Sequence, residues 1–109
     1  MKGPLDFTEQ VINQSLKDSD IGAYILSKGN NVAHYVGRSD SSLKQRLKQH
    51  LQGTSYIQFW FETVTSALDA YYLECQWYHK YSPKDNANHP AIPPGSAWKC
   101  PVAGCPFST

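Results

Sequence analysis

The sequence predicts an α/β chain of the α+β kind: a small three-stranded antiparallel sheet flanked by helices. Three observations carry this expectation. Two strand-like runs, Ala23-Tyr24-Ile25-Leu26-Ser27 and Val32-Ala33-His34-Tyr35-Val36-Gly37, flank the turn-forming Lys28-Gly29-Asn30-Asn31. A third run, Ser55 to Val64, is rich in aromatic and β-branched residues and reads as a central strand. Stretches of helical apolar spacing, two of them opened by capping signals, surround these runs.

Taken in order, residues 6–17 place Phe7, Val11 and Leu16 at roughly helical spacing and predict a short leading helix. Asp18-Ser19-Asp20 is a polar break before the hairpin. Asp40-Ser41-Ser42 signals a helix start, and Ser42 with Gln45 has capping-box spacing. Leu43, Leu47 and Leu51 then form one apolar edge, with Arg46 and His50 on its flank, and Gly53 ends the helix. A second capping box, Ser66 with Asp69, opens a long helix to about Tyr81, which Pro83 stops.

From Asn86 onward, seven prolines and glycines exclude regular structure. The division expected is a unit over 1–86 and a Pro/Gly/Cys-rich tail over 87–109 packed on it. With 109 residues and 40% apolar composition, the chain is one domain with a modest core. A net charge of +1 neither demands nor excludes nucleic acid, because a local basic stripe such as Arg38, Lys44, Arg46 and Lys48 can act where the sum does not. No apolar run approaches the ~18–20 residues that span a bilayer. Three cysteines, which cannot all pair, fit a reducing cytoplasmic setting.

Helix geometry isolates one residue. On the long helix Asp69, Gln76 and Lys80 fall on one stripe facing water, and Ala67, Tyr71 and Tyr78 fall opposite, toward the sheet. At about 100° per residue, Glu74 lands roughly 140° from the Asp69 stripe, within the apolar side. A carboxylate pointed at a core is costly unless it is paired or bound to a metal. Two readings stand: an ion pair or hydrogen bond with Arg46 or a tyrosine hydroxyl, or a metal ligand at the floor of a cleft.

The ordered set Gly22-Ala23-Tyr24, Tyr35-Val36-Gly37, Arg38, Arg46, His50, Glu74, Pro83 and Asn86 resembles the GIY-YIG nucleases over residues 22–86. The triplets look like the two that name the family. The resemblance implies a metal-dependent endonuclease hydrolysing DNA phosphodiester bonds, structure-specific or nonspecific, in repair or recombination. It implies one Mg²⁺ or Mn²⁺ held by Glu74. Tyr24 or Tyr35 would act as general base, Arg46 as phosphate clamp, His50 as proton relay or phosphate ligand, and Asn86 as an orienting group. Arg38, Lys44 and Lys48 would meet phosphate. A phenol titrates near ~10, so the base role requires a depressed pKa.

The rival function is a nucleic-acid-binding module that keeps the fold without cleavage; a third reading docks a protein partner through the tail. Cys75 and His79, one turn apart, with Cys100 and Cys105 could make a Cys₃His zinc site, with His89 as a spare ligand. The wide spacing of Cys100 and Cys105 weighs against zinc, and a disulfide between them is the alternative.

Overall fold

The computed structural model of the chain describes residues 1–108; Thr109, the end of the expected tail, lies outside them. In chain order the elements are β1 (Lys2–Asp6), α1 (Glu9–Ser15), β2 (Ile21–Ser27), β3 (Tyr35–Ser39), α2 (Leu43–Gln49), β4 (Gln58–Val64) and α3 (Ala67–Tyr81). A single 3₁₀ turn follows at Pro106–Ser108. All strand pairs are antiparallel and the spatial order is β1-β4-β2-β3.

The sheet therefore has four strands where three were expected. The extra strand, β1, adds to the outer edge of β4, with Leu5 opposite Phe59. Its sequence carries Gly3-Pro4, and the ladder shifts register between Lys2 and Leu5. Proline within a strand is tolerated at an edge, which is where β1 lies. That pair hid the strand from pattern reading.

Alternation along β2 divides the core into two. Tyr24 and Leu26 face α1 and α2, where they pack with Phe7, Ile12, Leu16, Leu43, Leu47, Phe59 and Phe61. Ala23 and Ile25 point the other way, to Val36 and Trp77 of α3, with Leu73 and Tyr81 alongside. Residue period 2 thus supplies both faces of one central strand.

The α3 boundaries agree with the capping signals. Ser66 Oγ accepts from the Asp69 amide at 3.1 Å, and Ser82 closes the helix in the left-handed region at φ 45°. One expectation fails here. Tyr71 and Tyr78 do not face the sheet: Tyr71 packs with Cys75 under the tail, against Cys100, Cys105, Ile92 and Trp98, and the Tyr78 ring lies against His79 and His89. The helix is buried on two sides because the tail covers its outer face. Periodicity reports that a face is buried, not what buries it.

Candidate active site

The two glycines of the triplets explain themselves sterically. A Cβ on Gly22 would run into the Glu62 carbonyl of the neighbouring strand, so only glycine lets β4 approach there. A Cβ on Gly37 would strike the ring and hydroxyl of Tyr24. Gly37 lies opposite Tyr24 in the β2–β3 register, so the Tyr24 side chain crosses β3 at the one residue that leaves room.

Tyr24 is 1% exposed, yet its hydroxyl lies 2.8 Å from Nε2 of His50, the residue capping the C-terminus of α2. The Tyr35 ring stacks beside Tyr24 at 6.2 Å between centroids and lies 5.2 Å from the His50 ring. Burial raises the proton affinity of Tyr24 far above the ordinary phenol, and Tyr35 and Glu74 add to the rise against the opposing charge of Arg46. Burial, then Glu74, raises Tyr35 as well. The expected depression of a tyrosine pKa is not what the site produces: desolvation exceeds the field of Arg46. His50 moves the other way. Burial and then Arg46 hold its pKa below the ordinary value, so it is neutral at neutral pH.

Arg46, on the exposed side of α2, lines the same cavity, and its guanidinium has no hydrogen bond or ion pair among the described residues. Arg38 is held on every side. It donates to Glu74 Oε1 at 2.6 Å, to Asp40 Oδ1 at 3.0 Å and to the Ala91 carbonyl at 2.8 Å, and it stacks over the Tyr71 ring at 5.2 Å. Burial would lower its pKa, but the bond to Glu74, that carboxylate's charge and Asp40 together raise it.

Glu74 does point inward, at 7% exposure. Its partner, however, is Arg38 and not Arg46 or a tyrosine. Burial raises its pKa in spite of Arg38. The donor set suits a hard divalent cation, since a buried carboxylate here lines an open, polar cavity. Arg38 engages one of its two oxygens, Oε1.

Asn86 acts on backbone. Its Oδ1 accepts from the Val36 amide and its Nδ2 donates to the Val36 carbonyl, both at 2.9 Å. Because β3 is an edge strand, these bonds supply the pairing that an absent neighbour would give. Tyr24, Tyr35, Arg38, Arg46, Glu74 and Asn86 thus line one cavity of about 430 Å³ that straddles the β3 edge.

Lys44 and Lys48 lie off that cavity; Lys44 pairs with Asp18 at 3.4 Å. Sequence reading did not assign to this cavity Ser39, Asp40 and Ser41, at the end of β3 and the turn after it, or Asn88, Pro90 and Ala91, which the tail brings to its wall together with His89, named there only as a spare zinc ligand. No local pattern placed the tail residues at this wall, because only the path of the tail brings them there.

No protein-family model and no curated protein matches the chain. Among solved structures it is similar to the GIY-YIG N-terminal endonuclease domain of UvrC from Thermotoga maritima. A tyrosine-to-phenylalanine point mutant of that domain, bound to its catalytic divalent cation, matches at TM-score 0.60 and 22% identity, over 74% of this chain and 100% of that one. An asparagine-to-alanine mutant matches at TM-score 0.60 and 20% identity over the same shares. The magnesium-bound domain gives TM-score 0.59 and 22% identity over 72% and 99%. The chain therefore folds as a GIY-YIG nuclease-like domain.

Proposed function

We propose that the chain is a metal-dependent endonuclease that hydrolyses DNA phosphodiester bonds, structure-specific or nonspecific in its choice of site, with a role in repair or recombination. One observation carries the reading. The Arg46 guanidinium, without a partner among the described residues, the Tyr24 phenol and the buried Glu74 carboxylate line a single open cavity, and the phenol is hydrogen-bonded to the His50 imidazole. Residues 1–86 would form the nuclease unit and 87–109 a tail on it. No helix among the described residues is long and apolar enough to cross a membrane, and three unpaired cysteines favour a reducing compartment such as the cytoplasm.

Neither tyrosine is a phenolate at neutral pH, since burial raises both. The proton path is instead a relay. The Tyr24 hydroxyl donates to neutral His50 Nε2, and as that proton moves the Tyr24 oxygen takes one from the attacking water. Tyr35, still protonated, positions that water or a phosphate oxygen through its hydroxyl. Arg46 clasps two nonbridging oxygens in its planar fork and offsets the charge that develops on the phosphoryl group.

Glu74 would hold one Mg²⁺ or Mn²⁺, whose chemistry when bound is Lewis-acid stabilisation of the leaving oxygen. Arg38 orients Glu74. Lys48 and Lys44 extend the contact along the DNA backbone by salt-sensitive attraction.

The rival reading, a binding module without cleavage, draws on the Arg38–Glu74 contact, which already satisfies one carboxylate oxygen. Both are tested by incubating plasmid and branched DNA with Mg²⁺, Mn²⁺ or EDTA, beside Glu74→Ala and Arg46→Ala. Divalent-dependent cleavage lost in both variants supports the enzyme. Cleavage that survives Glu74→Ala sinks the mechanism, and binding without cleavage of any substrate supports the module.

A further inference from the structure

A second constellation lies behind the cavity wall, and the reading above leaves it unused. His79 of α3, His89 of the tail, and Cys100 and Cys105 near its end each offer one ligand atom, and these four atoms all lie within 4.8 Å of one another. His79 Nε2 is 3.5 Å from Cys100 Sγ, and His89 Nε2 is 3.4 Å from Cys105 Sγ. For a tetrahedral ion with Zn–S near 2.3 Å and Zn–N near 2.05 Å, the nitrogen–sulfur edge is about 3.6 Å. The observed pairs have that spacing.

The surroundings are those of a metal site. His89 Nδ1 lies 3.0 Å from the Pro90 carbonyl, a bond that fixes the proton on Nδ1 and leaves Nε2 bare. The Phe107 amide donates to Cys105 Sγ at 3.4 Å, the kind of contact that stabilises a thiolate. Both sulfurs are buried, and no disulfide joins them. Mixed Cys₂His₂ ligation in tetrahedral form selects zinc among the common divalent ions.

We infer that His79, His89, Cys100 and Cys105 bind one structural zinc ion that clamps the C-terminal segment onto α3 and thereby builds one wall of the cleft. The ligand set differs from the expected one by a single exchange. Cys75 touches Cys100 and Tyr71, but it lies outside the group of four. His89 takes its place.

The clamp reaches the candidate active site through three consecutive residues. His89 binds the metal by Nε2, Pro90 accepts from its ring, and Ala91 accepts from Arg38, which in turn holds Glu74. A segment with so many prolines and so little regular structure has few backbone bonds of its own, and a closed Cys₂His₂ site adds to the packing of Ile92 and Trp98 on α3.

The test uses the full chain, produced without an affinity tag and washed free of loosely held metal. Elemental analysis should find one zinc per chain, retained in Cys75→Ala and lost in Cys105→Ser and His89→Ala. Replacement by Co²⁺ should give the intense d–d bands of a tetrahedral site together with a thiolate-to-cobalt charge-transfer band. The proposal is overturned by wild-type protein without zinc, by an octahedral cobalt spectrum, by zinc that survives Cys105→Ser, or by an intact mass two hydrogens short that reveals a Cys100–Cys105 disulfide. Should Cys105→Ser fail to fold, the wild-type cobalt spectrum decides. None of these measurements depends on DNA cleavage, so the two readings stand or fall separately.

Discussion

Replacing Asn86 by alanine removes both hydrogen bonds to Val36, each 2.9 Å long. Val36 itself is 0% exposed, and its outward amide and carbonyl have no neighbouring strand, because β3 ends the sheet. Two net hydrogen bonds at ~1 kcal/mol each, plus part of the cost of groups that water reaches poorly, give a loss of about 2–3 kcal/mol. For a domain of this size that corresponds to a fall in Tm of about 10 °C. Asn86→Asp should not rescue it: a carboxylate accepts from the Val36 amide but sets a second oxygen against the Val36 carbonyl. The assay is urea unfolding followed by tryptophan fluorescence, with cleavage measured on the same preparations. Since Tyr35 and Arg38 lie within two residues of Val36 on β3, activity should fall together with stability. An Asn86→Ala midpoint indistinguishable from wild type, with an unchanged slope, refutes the strand-pairing role. Lost activity with intact stability would mean that Asn86 acts on the substrate instead.

Arg46→Lys should lower kcat by on the order of 10²–10³, the typical cost of one transition-state donor, while an exposed side chain without partners leaves Tm unchanged. Tyr24→Phe and His50→Ala should reduce cleavage to similar levels and the double variant little further, because a relay fails once at either member; additive losses in single-turnover kinetics would separate the two residues. The pH dependence has a defined sign. His50 must be neutral to accept a proton and its pKa lies below the ordinary 6.5, so the acid limb of kcat/KM that it causes should fall below that pH and vanish in His50→Gln. The same depression makes the unfolded chain take up the proton first. Its stabilising contribution is whole above pH 6.5 and is lost as pH falls through the folded-state pKa, and a urea-midpoint profile that stays flat from pH 7 to 5 would contradict it.

Much of this was legible in local chemistry. The Ser66 and Ser42 caps located two helix starts. The 100° step placed Glu74 inside before any partner was known. What local chemistry lacks is the identity of long-range partners. Arg46 and Arg38 are both near Glu74 in the fold, but only Arg38 lies on the strand against which α3 packs, and it takes the carboxylate. Helical i, i+4 spacing made Cys75 and His79 look like joint ligands. Both meet Cys100 of the tail, but only His79 belongs to the close group of four, and the sequence-distant His89 completes it. Several lining residues that pattern reading did not place, Asn88, Pro90 and Ala91, sit on the tail, whose path follows no hydrophobic periodicity.

The position of the cavity follows from one missing methyl group. Tyr24 belongs to the face of the sheet that α1 and α2 cover, whereas Glu74 belongs to the helix on the other face. Groups on opposite faces of a sheet are normally kept apart by the sheet itself, whose packed layers stand about 10 Å from one another. Here the barrier ends at β3, and at Gly37 it has no side chain. Tyr24 lies across that gap, so its phenol, hydrogen-bonded to His50 on the α2 side, and the carboxylate from the α3 side line the same solvent space. Had the site been built on one face, its acceptor and its carboxylate would have shared one desolvated pocket, and burial would have worked against both charges together. Divided across an edge, His50 is kept neutral by its surroundings while Glu74 keeps Arg38 as a counter-charge. Two groups with opposed electrostatic needs are thereby placed at one sheet edge without sharing an environment.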